Sequence, residues 1–266
     1  MRFGLDVPID GSYADPRLLA DLAYDAEAAG WDGFFLQDGL GGPKRAIDPW
    51  IGLTAVTLRT ERVKLGVFLT PLPRRRPGEV AMQAATIDHL SGGRLIFGAA
   101  VGHAEHDFVP FGDAWDLRVR AQQLDEALEV VAGLWTGRPF SFEGTHFRLT
   151  DAQIAPPPLQ SPRVPVWVAT GWPHRKPMRR AVRWDGVYLM TDNQATDQPI
   201  SVEDIAAAAA FAKELRGDAP FEVAANGWSD TPAVAEYEDA GATWWIALAP
   251  ESPEAYRSVI QQGPPG

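Results

Sequence analysis

Residues 95–107 read LIFGAAVGHAEHD: an apolar run that stops at Gly102, followed by His103, Glu105, His106 and Asp107. Imidazoles and carboxylates this close together suit three kinds of chemistry. They can hold a metal, move a proton, or line a bound cofactor. His103, His106 and Asp107 could supply metal ligands, but the remaining histidines do not converge on them. No His-x-His occurs near the N-terminus, and His89, His146 and His174 fall on a helix, a hairpin and a loop. The pattern therefore argues against a metal centre. Glu105, His106 and Asp107 read as solvated loop polars. His103 sits directly on a strand end, where it is either a satisfied loop histidine or an acid/base group facing a bound ligand. Two basic clusters are the other chemical features: Arg74, Arg75 and Arg76, and then Arg175, Lys176, Arg179, Arg180 and Arg183. Each is either a solvated face or an anion site, and only position can decide.

The elements that must place these residues alternate. Apolar runs at 2–7, 32–37, 63–69, 95–101, 164–171, 186–190, 221–227 and 244–250 read as strands. Each is followed by an amphipathic stretch that reads as a helix. Asp15-Pro16, Asp48-Pro49, Thr231-Pro232 and Ser252-Pro253 are helix starts, pairing a capping side chain with proline at the first helical position. The rhythm breaks only at 138–163, where PFSFEGTHFRL suggests a hairpin turning at Glu143-Gly144 and APPPLQSPRVP an extended connector. Eight strand–helix units with strands apolar on both faces predict an α/β fold, a (β/α)8 TIM barrel in a single domain over 1–266 with a short insertion. A doubly wound sheet is the runner-up, but DVPIDGSY after the first strand lacks its glycine-rich fingerprint.

A barrel carries its site at the C-terminal ends of its strands. Those ends are Asp6, Gln37 and Asp38, Leu69 and Thr70, Gly102 and His103, Thr170 and Gly171, Thr191 and Asp192, Asn226, and Pro250. Both basic clusters now follow strand ends. Arg175 gains an anion-binding expectation, while Arg179, Arg180 and Arg183 lie further along the helix and read as solvent-facing. Trp172 lies in the same loop, unlike the other tryptophans, which read as core or rim.

Composition bounds the function. The 266 residues carry a formal net charge of -11, which argues against broad nucleic-acid binding. With no cysteine, disulfides and thiolate metal sites are excluded. No run of about 18 apolar residues suggests a membrane span. MRFGLDVPIDG enters a strand without a signal-peptide core, so the cytoplasm is the default expectation. No Walker motif, nucleophile elbow or zinc signature is present.

In combination, several segments resemble the bacterial luciferase-like oxidoreductases. These are IDHLSGGRLIFGAAVGHAEHDFVPFG, DPWIGLTAVTLRTERVKLGVFLTPLPRRRP, LDEALEVVAGLWTG and PPPLQSPRVPVWVATGWPHRKPMRRAVRWDGV. The resemblance covers nearly the whole chain. It implies a TIM barrel binding a flavin, or the deazaflavin coenzyme F-420, at the C-terminal mouth. The ring is expected over the third-strand end, at Val67, Phe68, Leu69 and Thr70, beside a non-proline cis peptide. Val101, Gly102 and His103 would flank it, with Asp6 in the same ring of strand ends. Thr170, Gly171, Trp172 and Arg175 would take the ribityl-phosphate end. His103 and Asp38 are the catalytic candidates. Many deazaflavin members carry Asp-His after the second strand, whereas Asp38 is followed by Gly39. That departure turns the expectation toward a monooxygenase using reduced FMN and oxygen on a small organic substrate. A separate flavin reductase would supply the FMN. The alternative is coenzyme F-420-dependent hydride transfer. The resemblance further implies a homodimer, and residues 104–118 are a candidate lid.

Overall fold

Local signals build the helices where the sequence places them. The computed structural model describes all residues except 41, 43, 192–198, 229, 230, 232, 233 and 266. Strand β1 (Arg2–Val7) leads to α1 (Pro16–Ala28), where the Asp15 carboxylate accepts the Arg17 N–H. After β2 (Gly33–Leu36), Asp48 caps α2 (Pro49–Arg59) by accepting from the Trp50 and Ile51 N–H groups. Each cap satisfies N–H groups that the first helical turn leaves free. The third barrel strand is where expectation and structure part. It is not continuous over 63–69 but divides into β3 (Lys64–Val67) and β4 (Thr70–Pro71), with a cis peptide between Phe68 and Leu69. That peptide lies within the window the family resemblance implies.

The order continues through α3 (Pro77–Leu90), β5 (Phe97–Ala100) and α4 (Leu117–Leu134) to the hairpin β6 (Phe140–Glu143) and β7 (Arg148–Ala152). The hairpin is antiparallel and stands apart from the main sheet. Alternation then resumes with β8 (Val166–Trp172), α5 (Arg175–Ala181), β9 (Gly186–Thr191), α6 (Val202–Arg216), β10 (Glu222–Gly227), α7 (Val234–Asp239), β11 (Trp244–Leu248) and α8 (Pro253–Gln262). The helix expected from Thr231-Pro232 is described from Val234 onward.

The main sheet runs β3-β2-β1-β11-β10-β9-β8-β5-β4, and every pair is parallel. Its two ends are the two halves of one strand. The Ile96 N–H donates to the Leu65 carbonyl at 2.8 Å, which closes the ring beside β5. The fold is thus the TIM barrel, and the doubly wound alternative is excluded. Among the described residues, no helix is long and apolar enough to cross a membrane.

Alternation along each strand sends one set of side chains to the helices and the other inward. Leu5, Val7, Val67, Val168, Leu189 and Trp245 join the large core beneath the helices. Phe35, Phe68, Ile96, Trp167, Tyr188, Trp244 and Ile246 fill the barrel. Phe35 and Phe68 stack with centroids 4.0 Å apart, and Trp167 meets Phe68 and Trp244 at 5.4 Å each. Gly98 makes room for this plug, since a Cβ there would lie 2.6 Å from the Phe68 ring. Removing a central ring opens a cavity that the closed sheet cannot collapse around. Trp167→Ala is therefore expected to cost about 3–5 kcal/mol, measured by urea unfolding. A loss below about 1 kcal/mol would mean the plug is not close-packed.

Candidate functional site

The plug ends below the C-terminal mouth, and the first polar group above it is Asp6. It is the inward residue between Leu5 and Val7, and only 7% of it is exposed. The Tyr188 hydroxyl donates to its Oδ2 at 3.1 Å. Its Oδ1 is buried and meets no donor in hydrogen-bonding geometry. Tyr256 of α8 donates to the Asp6 backbone carbonyl at 3.1 Å and so fixes the strand end. Burial pushes the Asp6 carboxyl up to about 6; the Gln37 amide and the Tyr188 hydroxyl oppose that rise.

Above β5 the chain turns at Gly102, whose φ of +82° and lack of a Cβ are both needed. A Cβ there would lie 2.4 Å from the Phe108 ring. Buried Arg120 of α4 anchors the turn. It donates to the Val101 carbonyl at 3.0 Å and the Gly102 carbonyl at 2.6 Å, and its guanidinium lies 3.8 Å over Trp115. His103 stands exposed just beyond. Partial loss of hydration holds its pKa below the usual histidine value. Asp107 opposes that shift, while His106, Arg120 and Arg74 add to it. The imidazole is therefore neutral at pH 7, with one nitrogen to donate and one to accept. Asp107 is not a solvated loop residue, as its sequence suggests. It is buried and accepts the Leu40 N–H at 2.8 Å, tying the candidate lid to the loop after β2.

Asp38 is engaged rather than open. Its buried carboxylate takes Arg74 Nη2 at 2.5 Å on Oδ1, and Arg75 Nη2 at 2.7 Å with Nε at 3.1 Å on Oδ2. Burial pushes this carboxyl up, and Arg75 and Arg74 pull it down. One carboxylate for two guanidiniums leaves a positive excess, joined by exposed Arg76.

The other expected residues divide by face. Leu69 and Met190 pack over the inner plug, with Phe68 within it. Gly171 shares that inward side. Val67 and Trp172 face the helices, as does Thr170 between Val168 and Trp172. These three can reach a ligand in the mouth only through their backbone. Thr70 is wholly buried. Arg175 is exposed, its guanidinium 4.8 Å over Trp172 and 4.3 Å over Phe211. Arg180 is corrected from solvent-facing to structural, while Arg183 is exposed as expected and makes a surface ion pair. Arg180 is buried in a fork with Asp125 at 2.6 and 3.0 Å, and Arg183 meets Glu129 at 2.8 Å. The Asn226 amide donates to the Leu189 carbonyl at 2.7 Å, and the Pro250 carbonyl accepts from Tyr13 at 2.7 Å. Asp192 lies outside the described residues. Among the described residues, no three metal-ligating side chains converge.

Sequence reasoning missed Tyr188 and Arg120. A signal existed for the first, because a phenol inside the apolar strand GVYLM needs a partner once buried.

A family model described as luciferase-like monooxygenase matches residues 1–258. The chain belongs to that family. It is 37% identical to an F-420-dependent glucose-6-phosphate dehydrogenase of Nakamurella multipartita over 166 residues, 59% of this chain and 48% of that one. It is 36% identical to the enzyme of the same name from Microbacterium testaceum over 181 residues, 65% and 52% of the two chains. The matched segments thus span about half the length of these relatives. Among solved structures, the F-420-dependent tetrahydromethanopterin reductase of Methanopyrus kandleri superposes with a TM-score of 0.80 at 18% identity, covering 98% of this chain and 96% of that one. A monooxygenase from Streptomyces bottropensis gives 0.79 at 19% identity, covering 98% and 97%. At such identities the likeness is one of fold.

The Asp6 environment has a consequence for stability. A folded-state pKa of about 6 against 3.8 for an ordinary aspartate means the folded chain holds this proton more tightly than the unfolded one. The group's contribution is fully present below the unfolded value and is lost as pH rises through about 6, by roughly 3 kcal/mol. Asp6→Asn is therefore expected to be more stable than the parent at pH 7, by about 1–3 kcal/mol. That gap should open between about pH 4 and pH 6 and stay constant above. Urea unfolding across this range checks it, and a gap independent of pH would refute the assignment.

Proposed function

We propose that this protein is an oxidoreductase that uses coenzyme F-420 to transfer a hydride to or from a small organic substrate. The observation that carries this reading is the dependence named for its relatives at 36–37% identity. It displaces the reduced-FMN monooxygenase that the missing histidine after Asp38 suggested. The fold does not separate the two, since enzymes of both kinds share it.

The residues present fit a flat polar heterocycle with an anionic tail. The mouth has a buried carboxylate oxygen without a donor, a glycine turn at Gly102 and the apolar cover of Leu69 and Met190. Val101 and Gly102 would flank the ring, Leu69 would lie against it, and Arg175 with Gly171 would meet the tail. When bound, the deazaflavin accepts or returns the hydride. The protein's part is to orient and to exclude water. Arg120 holds the carbonyls of the Gly102 turn, and the aromatic plug seals the barrel from below. Neutral His103 offers an orienting hydrogen bond at the rim.

Parallel fluorescence titrations of the purified protein with F-420 and with FMN test the cofactor. Tight binding of F-420 and weak binding of FMN is the expected result. Preference for FMN would restore the monooxygenase reading. With glucose 6-phosphate as first substrate, His103→Ala is expected to raise KM by about 3- to 10-fold, the worth of one neutral hydrogen bond. Unchanged kinetics would remove His103 from the site.

A further inference from the structure

Among the described residues, the other buried aspartates are engaged by the fold. Both Asp88 oxygens are taken by Gln160, at 2.9 Å from its N–H and 2.7 Å from its amide. Both Asp38 oxygens meet arginines, and Asp107 Oδ1 takes the Leu40 N–H. Asp6 differs. It is as deeply placed, yet Oδ1 has no donor in hydrogen-bonding geometry, and the groups that face the carboxylate, the Tyr188 phenol on Oδ2 and the Gln37 amide, are both neutral. An unpaired buried carboxylate weakens a fold, so packing gives no reason for it. Its position supplies one, because it is the lowest polar group of the mouth, directly above the plug.

We infer that Asp6 is a catalytic residue whose Oδ1 takes the hydroxyl proton of an alcohol substrate as the hydride leaves the carbinol carbon. This rests on the hydride-transfer reading above. The balance is complete. The C–H bond breaks and its electron pair goes with the hydride to the oxidised deazaflavin. The O–H bond breaks, the C–O bond becomes a carbonyl, and the proton stays on Asp6 until solvent removes it. Tyr188 is the positioning residue. Its hydroxyl occupies Oδ2 and leaves Oδ1 as the unpaired oxygen. The titratable groups facing Asp6 are Tyr188 from β9 and Tyr256 from α8. Burial pushes both phenols well above their usual range, so neither competes for the proton near neutrality. Gln37 from β2 is neutral. A carboxyl at about 6 is ionised at pH 7 and is still a stronger base than an ordinary aspartate.

Two experiments on the full chain test this. The first is a carbon-13 NMR titration of aspartate carboxyls without cofactor. One signal is expected to titrate near pH 6 and to be missing from Asp6→Asn. If every aspartate titrates in the ordinary range, the inference fails. The second follows F-420 reduction by glucose 6-phosphate and by 2-propanol between about pH 5 and pH 8. Asp6→Asn is expected to lose at least about 100-fold in kcat with little change in KM, and to lose the fall in rate on the acid side. Asp6→Glu should recover part of the rate, and His103→Ala should keep the acid-side fall. An Asp6→Asn variant with parental kcat and pH profile overturns the inference. If the parent fails to bind F-420, the cofactor reading fails, and the carboxyl titration still decides whether Asp6 is the unpaired, raised carboxylate that the inference requires.

Discussion

A parallel barrel encloses space that it must fill with its own side chains, and here that constraint organises everything above it. Phe35, Phe68, Trp167 and Trp244 occupy the interior as one stacked cluster. Rings this large fit only because the inner face also carries small residues such as Gly98. The result is a dry floor. A polar group set on that floor loses its hydration. Asp6 occupies that position, and its raised pKa follows from the packing below it rather than from any charged neighbour.

Electrostatics at the mouth is arranged by commitment more than by count. Two of the three arginines after the third strand are bound to Asp38, and Arg120 is bound to the carbonyls of the Gly102 turn. Arg180 is bound to Asp125. These side chains hold the loops in place and are poorly free to meet a ligand. What is left for an anion is the exposed charge of Arg76, Arg175 and Lys176. In a chain of net charge -11, that residue of positive charge would set the direction from which an anionic ligand is drawn.

Membership of the luciferase-like family fixes the scaffold and the end of the barrel that carries the chemistry, but not the chemistry itself. The loss of histidine after Asp38 looked like evidence about the cofactor. In the folded chain Asp38 is a buried anchor for Arg74 and Arg75. Its neighbour therefore reports on how that loop is built and says little about what the mouth binds.

Sequence by itself determined the elements. Asp15 and Asp48 cap the helices they precede, Gly102 ends the fourth strand, and eight apolar runs become barrel strands. These are local outcomes, set by hydrogen bonds within a turn and by side-chain periodicity. Which strand end points inward could be inferred only once a barrel was assumed, and so Thr170 and Trp172 were placed at the mouth although they face the helices. Tertiary structure alone decided the partnerships. Tyr188 meets Asp6 across 182 residues of chain, and Arg74 meets Asp38 across 36. No periodicity encodes such pairs. They arise when the ring closes and brings distant strand ends to one rim, and burial there settles which polar groups are paired and which, such as Asp6 Oδ1, are left unpaired.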